Sequence, residues 1–259
     1  MAAATATTGM VSFITGAASG LGKGTLLHLL RNGARGVYCY DMQPFPVDSV
    51  NDKNKFMYRQ GDVRDEQSTQ DALEECFKKF GRIDNVINCA GVSVAFRIFN
   101  FRRDKPHSLK DFQQVIDINV TGTFNVVRLA CPFIFKNDPN KDGQRGVIIN
   151  TSATAGFDGQ IGQAAYSASA GAINSMTLPL ARDLGSSGIR VMTIAVGYFN
   201  TPLISYLPEN IQEFLRLSTL CPRRLGEPED YAKLVQAIIE NAYLNGSIIR
   251  LDGGMRALV

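Results

Sequence analysis

The chain has 259 residues, 45% of them hydrophobic and 20% charged, with a formal net charge of +3. These values are typical of a globular protein without a tract of like charge, so no direct nucleic-acid partner is predicted. The five cysteines show no CxxC spacing and there are only two histidines, so neither a disulfide framework nor a metal site is predicted. No run reaches the ~18 apolar residues of a membrane span, so we expect no membrane partner.

Short β-rich runs alternate with amphipathic helical stretches along the chain. The predicted strands are residues 10–15, 36–41, 56–63, 85–91, 146–152, 189–195 and 246–254, and the helical stretches between them include 21–33, 70–81 and 118–135. This alternation predicts an α/β fold, a single-domain Rossmann-type doubly wound parallel sheet with helices on both faces. Residues 1–9 are predicted to be a flexible leader, residues 10–259 to form the domain, and the polar segments 102–111 and 136–146 to be surface loops.

A glycine-rich turn, TGAASGLG, follows the first strand and places Gly16, Gly20 and Gly22 where strand gives way to helix. Glycines there let the main chain approach a pyrophosphate, and the helix start supplies unpaired N–H groups. A tight turn without a ligand is the alternative interpretation. Asp41 ends the second strand about 20 residues later, where a carboxylate can bind ribose hydroxyls, and no arginine follows it to meet a 2′-phosphate. The pattern therefore favours NAD(H) over NADP(H).

The chain resembles the short-chain dehydrogenase/reductases from about residue 11 to residue 254. The resemblance is carried by the Gly-xxx-Gly-x-Gly spacing, by INCAG and INVTG, and by the helix AAYSASAGAINSM with its Tyr166. The stretches GQRGVIINT, GQAAYSAS, GIRVMTIA, YAKLVQAIIEN and NGSIIRLDGG are similar to family members that act on 3-hydroxyacyl-CoA esters and hydroxysteroids. The resemblance implies an NAD(H)-dependent oxidoreductase that interconverts a secondary alcohol and a ketone, and it implies a homo-tetramer.

The resemblance also assigns residues to the cofactor and to the substrate. The cofactor-binding residues that it implies are Gly16, Ser19, Gly20, Leu21, Gly22, Asp41, Asp62, Val63, Cys89, Ala90, Gly91, Tyr166 and Thr201. For Asp62 a simple strand-end acid is an equal alternative, and for Cys89 a small buried residue is the preferred interpretation. Gln160 and Gln163 are expected near the substrate. The segment of about 197–226 is expected either to cover the substrate or to pack on the domain, and residues 102–105 either meet CoA phosphates or form a solvated loop.

Two positions depart from the pattern of the catalytic residues. The resemblance implies Tyr166 and Asn119 as catalytic residues, but the family's lysine four residues after the tyrosine is Ala170 here, and its serine thirteen residues before it is Ala153. A phenol has an unperturbed pKa of ~10, which a nearby cation lowers by about 1–3. Losing a donor to a developing oxyanion costs a factor of ~10²–10³ in rate. We therefore expect crippled activity, and natural loss and deliberate substitution are equally compatible with the sequence.

A chain that keeps the cofactor turn while lacking catalytic partners also fits a second hypothesis. The resemblance allows a non-catalytic scaffold subunit of a mitochondrial RNA-processing or assembly complex, with protein partners in RNA processing. It implies a mitochondrial location, although the sequence carries no clear targeting signal and a cytoplasmic location is the alternative.

Overall fold

The fold is taken from a computed structural model that describes residues 8–46, 50 and 52–256. Most of the predicted leader, residues 1–9, lies outside the described residues. The strands are β1 (Val11–Thr15), β2 (Gly36–Asp41), β3 (Phe56–Gln60), β4 (Asn85–Asn88), β5 (Phe99–Asn100), β6 (Lys105–Pro106), β7 (Gly146–Ala153), β8 (Ile189–Val196) and β9 (Ile248–Leu251). The helices are α1 (Gly20–Arg31), α2 (Glu66–Phe80), α3 (Leu109–Ile116), α4 (Thr123–Phe135), α5 (Ala164–Gly185), α6 (Pro202–Ser205), α7 (Glu209–Leu217) and α8 (Pro228–Glu240).

Seven strands form one parallel sheet in the order β3-β2-β1-β4-β7-β8-β9. The order reverses between β1 and β4, and in open α/β sheets ligands bind outside the carboxyl ends of the strands at such a switch point. The predicted doubly wound sheet is therefore confirmed. The strands around Val86, Ile148 and Met192 are fully buried, as expected for strands covered on both faces.

Helices pack on both faces of the sheet because the central strands are apolar on both sides. On one face, Leu26 of α1 and Val235 of α8 belong to one buried cluster with the strand residues. On the other face, Leu73 of α2, Val126 of α4 and Ala181 of α5 belong to a second cluster. The helical run Leu109–Phe135 is long and apolar enough to cross a membrane by length and composition alone, but 56% of its most apolar 18-residue window is buried inside the protein, as in the core helix of a globular fold.

The structure corrects the predicted bounds of several segments. The third strand ends at Gln60 rather than at residue 63, because the chain turns after Gly61 and the Asp65 N–H donates to Asp62 O at 3.0 Å. The last strand covers only Ile248–Leu251, because Gly253 and Gly254 have positive φ angles of 58° and 78°. The predicted loop 102–111 instead contains β6, which pairs with β5 in an antiparallel hairpin, and the start of α3.

Candidate active site

The turn between β1 and α1 brings the main chain of several segments into close contact. Gly16 has a φ of +63°, and a Cβ added to it would lie 2.6 Å from Ala90 N. A Cβ on Gly22 would lie 2.3 Å from Gly16 O. Only glycine fits at either position, because the clashing atoms belong to the main chain; at Gly16 the positive φ also disfavours any L side chain. The predicted Ala90 therefore lies directly beside the turn.

The start of α1 provides the donors for an anion. The first N–H groups of an α-helix have no partner within the helix, and the helix dipole places partial positive charge there. Ser19 is the exposed N-cap residue, its side chain makes no capping bond, and the first turn holds no acidic residue. Leu21 follows, partly buried against the core. This arrangement fits a pyrophosphate, and the Gly16–Gly22 contact lets it approach the main chain.

Asp41 lies at the carboxyl end of β2 and faces the same turn. Its Oδ2 accepts a hydrogen bond from Ala18 N at 2.8 Å, and its Oδ1 accepts one from Gln43 N at 2.8 Å. The carboxylate is thus held beside the glycine turn by two main-chain donors. The position suits the ribose hydroxyls of a dinucleotide bound at the turn.

Asp62 and Val63 follow β3 at the same edge of the sheet. Burial raises the pKa of the Asp62 carboxyl, but the side-chain and main-chain hydrogen bonds from Arg64 outweigh it and hold the pKa below its ordinary value. Arg64 Nη2 lies 2.6 Å from Asp62 Oδ2. Val63 is buried, and its carbonyl accepts from Asn125 Nδ2 at 2.9 Å. Asp62 is therefore a paired, ionised side chain at the place predicted for the adenine.

Cys89 and Gly91 continue from β4 along the cleft. The Cys89 Sγ lies 3.6 Å from both the Tyr231 hydroxyl and Thr151 Oγ1. Burial raises the pKa of the Cys89 thiol to about 11, so the thiol stays protonated near neutral pH. Cys89 also packs against the core, in agreement with the interpretation of a small structural side chain. Gly91 keeps open the space beside Asn119, since an added Cβ would lie 3.4 Å from Asn119 Oδ1.

Asn119 lies in a π-helical turn, Asp117–Gly122, between α3 and α4. Wide turns of this kind are frequent at functional sites because they redirect a side chain out of the regular helix. The Asn119 amide pairs with both the N–H and the carbonyl of Val92, each at 2.9 Å, and Nδ2 also donates to Ser169 Oγ at 3.0 Å. Ser169 Oγ in turn donates to Tyr166 O at 2.8 Å. Asn119 therefore joins the segment after β4 to the helix that carries Tyr166.

The Tyr166 phenol is partly buried, and among the described residues no charged group shifts its pKa. Burial alone raises the pKa of Tyr166 to about 12. Ala170 and Ala153, four residues after it and thirteen before it in the chain, are both buried. The Ser152 hydroxyl does not replace the missing side chain at residue 153, because it donates to Ala170 O at 3.0 Å. Thr154, the other flanking hydroxyl residue, is buried as well.

The predicted substrate residues lie in the loop before α5. The Gln160 side-chain amide donates to the Tyr198 hydroxyl, and Gln163 Oε1 accepts from Ser93 Oγ at 3.2 Å. The structure thus brings both glutamines together with the segments after β4 and β8. Thr201, which begins α6, packs on the glycine turn: a Cβ added to Gly20 would lie 3.2 Å from its Cγ2.

The sequence of the chain matches that of a known protein family. The sequence profile described as short chain dehydrogenase matches residues 10–212. The chain belongs to the short chain dehydrogenase family. The match spans the glycine turn, the π-helical turn and the Tyr166 helix, so the glycine turn, the phenol and all strands of the parallel sheet except β9 lie within the matched region.

Individual relatives of the family are similar over nearly the whole chain. The 3-hydroxyacyl-CoA dehydrogenase type-2 proteins of Drosophila melanogaster and Homo sapiens are each 50% identical over 250 residues; these cover 96% of this chain and 98% and 95% of theirs, respectively. The crystal structure of 3-hydroxyacyl-CoA dehydrogenase type-2 from Mycobacterium avium superposes with a TM-score of 0.88 at 32% identity, covering 96% of this chain and 97% of that one.

Several residues of this short chain dehydrogenase site are not predicted from the sequence. Ser93, Ser169 and Tyr198 each hydrogen-bond a predicted site residue or its helix. Ser169 could have been predicted as a site residue, because a residue three positions after Tyr166 lies on a neighbouring part of the same helix face. Among the described residues no group of three His, Cys, Asp or Glu side chains is arranged to hold a metal ion.

Proposed function

We propose that this chain binds NAD(H) at the turn after β1 and that its alcohol–ketone chemistry at Tyr166 is crippled by the alanines at residues 153 and 170. The observation that carries the proposal is the pKa of about 12 at a phenol that no cation adjoins. Membership of the short chain dehydrogenase family supports the reaction class.

The proposed cofactor follows from the turn and from Asp41. Gly16, Gly22 and the start of α1 fit a pyrophosphate, and the Asp41 carboxylate beside them would bind ribose hydroxyls. A 2′-phosphate in that place would meet the negative charge of Asp41, which favours NAD(H) over NADP(H). When bound, NAD(H) supplies or accepts the hydride of the reaction.

The protein's own part in the reaction is to hold and move the hydroxyl proton at the Tyr166 oxygen. With a pKa of about 12, only about one phenol in 10⁵ is ionised at pH 7. A lysine at residue 170 would place a cation on the same helix face and favour the phenolate. A serine at residue 153 would donate to the substrate oxygen, where losing one donor costs a factor of ~10²–10³. A turnover of ~10 s⁻¹ would thus fall to roughly once in minutes.

The proposed substrates are 3-hydroxyacyl-CoA esters or hydroxysteroids. Support comes from the similarity to 3-hydroxyacyl-CoA dehydrogenase type-2 proteins and from the amides of Gln160 and Gln163 near the Tyr166 helix. The segment that contains α6 and α7 exposes large apolar side chains, namely Leu203, Tyr206, Phe214 and Leu217. These would cover an apolar acyl chain or ring system.

The test compares the chain with its double variant A153S/A170K. Calorimetry should show NADH binding in the micromolar range for both proteins. Acetoacetyl-CoA reduction with NADH should be very slow for the unaltered chain and at least about 100-fold faster for the double variant. The matched control is A153S/A170M, which adds a side chain of similar length without the charge and should recover much less.

Two outcomes would contradict the proposal. Fast turnover by the unaltered chain would mean that another group acts in place of residues 153 and 170. A folded A153S/A170K variant that binds NADH but reduces neither acetoacetyl-CoA nor a ketosteroid would remove the substrate assignment. Adding Y166F to the active double variant should abolish the recovered rate.

A second candidate function is a non-catalytic scaffold subunit, located in mitochondria and working with protein partners in RNA processing. It is favoured by an intact cofactor turn combined with two truncated side chains around Tyr166. Affinity purification of the tagged chain from isolated mitochondria tests it. Stoichiometric recovery of RNA-processing proteins supports the scaffold, whereas recovery only as a homo-oligomer, with tetramer the expected state, contradicts it.

A further inference from the structure

The β5–β6 hairpin carries features that the proton transfer proposed at Tyr166 does not use. Phe99 pairs with Pro106 and Asn100 pairs with Lys105, and a four-residue turn joins the two short strands. The base is fixed to the protein, because Phe96 N donates to Gly162 O at 2.8 Å. The tip of the hairpin therefore projects from a base that is tied to the loop before α5.

The hairpin exposes large apolar side chains to solvent. Phe101 at the tip is 87% exposed and Ile98 near the base is 77% exposed. The Phe101 ring packs on Phe99 at a centroid distance of 4.9 Å, which holds it at the tip rather than folding it onto the core. Single exposed apolar side chains are ordinary on protein surfaces, but two on one small projection indicate a surface that is covered by something else.

Cations surround these apolar side chains. Arg97, Arg102, Arg103 and Lys105 are all exposed and only Asp104 opposes them, so the hairpin has a net charge of +3. No carboxylate lies within ion-pairing distance of these four cations in residues 52–256. A cavity of about 420 Å³ lies against the hairpin and is lined by Arg97, Asn100, Phe101 and Arg102.

Several other surface arginines of the chain are paired with a nearby carboxylate. Arg64, Arg82 and Arg224 each bind an aspartate within two to six residues of sequence, at 2.6 Å in every case. Those pairs need no further partner. The hairpin cations differ because their charge is left for an anion outside the chain.

We propose that the β5–β6 hairpin docks this protein onto an anionic phospholipid surface. Phe101 and Ile98 would enter the interface between head groups and acyl chains, while the guanidinium groups beside them would bind lipid phosphates. Ile98 decides between a membrane and single-stranded RNA, since an aliphatic side chain offers no stacking face to a base but gains from burial in hydrocarbon. The expectation of no membrane partner rested on the length of the apolar runs in the sequence. That length decides whether a segment can cross a membrane, but not whether a protein surface can bind to one.

The chain contains no tryptophan, so Phe101→Trp creates a single fluorescent reporter at the tip. The probe surfaces are vesicles of phosphatidylcholine alone and vesicles in which about a quarter of the lipid is cardiolipin. On the anionic vesicles we expect a blue shift of the tryptophan emission and at least tenfold more co-sedimented protein than on phosphatidylcholine. High salt should reverse the binding, since the attraction falls off within a Debye length.

Two charge-matched variants separate the hairpin from general surface charge. R102E/R103E should reduce binding to anionic vesicles at least tenfold, and I98S should reduce it with the charge unchanged. K78E/K79E makes the same change in charge at two exposed lysines of α2 and should leave binding nearly intact. Thermal unfolding of each variant checks that its fold is kept.

Five results would overturn the proposal. Equal binding to both kinds of vesicle would exclude specific recognition of the anionic lipid. An equal loss of vesicle binding in K78E/K79E would exclude the hairpin as the specific docking site. Quenching by free CoA or inorganic phosphate without vesicle binding would assign the hairpin to a soluble anion, and preference for an RNA oligonucleotide would assign it to nucleic acid. A change of mass in sedimentation velocity for R102E/R103E would place the hairpin between copies of the chain.

Discussion

At the scale of single residues, the ionisation of the Tyr166 hydroxyl is disfavoured because no neighbouring cation among the described residues stabilises the phenolate. Burial disfavours the phenolate and raises the pKa to about 12. Oxidation of an alcohol needs the phenolate as base, so the residual rate should rise about tenfold per pH unit from pH 7 to pH 10 without levelling. Initial rates of NADH formation from 3-hydroxybutyryl-CoA measure this profile.

The same profile in two variants identifies the titrating group. In A170K the ammonium favours the phenolate, so the rise should begin and level off at lower pH. In Y166F the profile should be flat and the rate lower throughout. A plateau below pH 9 in the unaltered chain would show that a different group takes the proton.

The proposed preference for NAD(H) rests on the single negative charge of Asp41. Asp41→Asn keeps an oxygen that accepts from Ala18 N but removes the negative charge at the ribose position. Losing charge-assisted hydrogen bonds should weaken NADH binding about tenfold. NADPH binding should improve, since the 2′-phosphate no longer meets a carboxylate. Calorimetric titration of both nucleotides checks this, and an unchanged ratio of the two affinities would argue against Asp41 as the discriminating residue.

At the scale of elements, the junction of β1 and α1 tolerates no side chain at Gly22. A methyl group there would lie 2.3 Å from Gly16 O, an atom that cannot move without shifting the turn. Gly22→Ala should lower the free energy of unfolding by at least about 2 kcal/mol and weaken NADH binding. Urea unfolding at fixed protein concentration measures the first effect.

Gly171 in α5 is the matched control for that substitution. A Cβ at Gly171 meets nothing within 4 Å, so Gly171→Ala should raise the free energy of unfolding by about 0.5–1 kcal/mol through helix propensity alone. If both alanine variants lost stability equally, the close approach at Gly22 would not be the cause.

The central parallel strands were predictable because they are short runs that are apolar on both faces, as around Ile148 and Met192. The β5–β6 hairpin was not, since it has only two residue pairs and its polar composition lacks the alternation of a half-buried strand. At the site, the glycine turn and Asp41 follow from spacing along the chain. The link from Asn119 through Ser169 to the Tyr166 helix depends on a π-helical turn that no local pattern announces.

At the scale of the whole molecule, the parallel strands all end at one edge of the sheet, the carboxyl edge, and all begin at the opposite one, the amino edge. These two edges have separate roles. The carboxyl edge carries the glycine turn, Asp41 and the loops around Tyr166. At the amino edge, where the strands begin, the buried Arg190 donates hydrogen bonds to main-chain carbonyls and to the Gln144 side chain. Because the length of the strands separates these two edges, a change at the amino edge should alter stability without altering the cofactor site.

Arg190, near the amino end of β8, tests this separation. Its guanidinium donates to the carbonyls of Leu244 at 2.7 Å, Ile238 at 3.0 Å and Ile239 at 3.2 Å, and so ties the end of α8 to the sheet. Arg190→Met would leave these carbonyls unpaired and should lower the free energy of unfolding by about 2–4 kcal/mol. Urea unfolding measures this loss, and the exposed Arg35→Met should change stability by less than about 0.5 kcal/mol. The NADH dissociation constant of Arg190→Met should stay within about twofold of the unaltered value; a tenfold change in a folded variant would mean that the two edges are coupled.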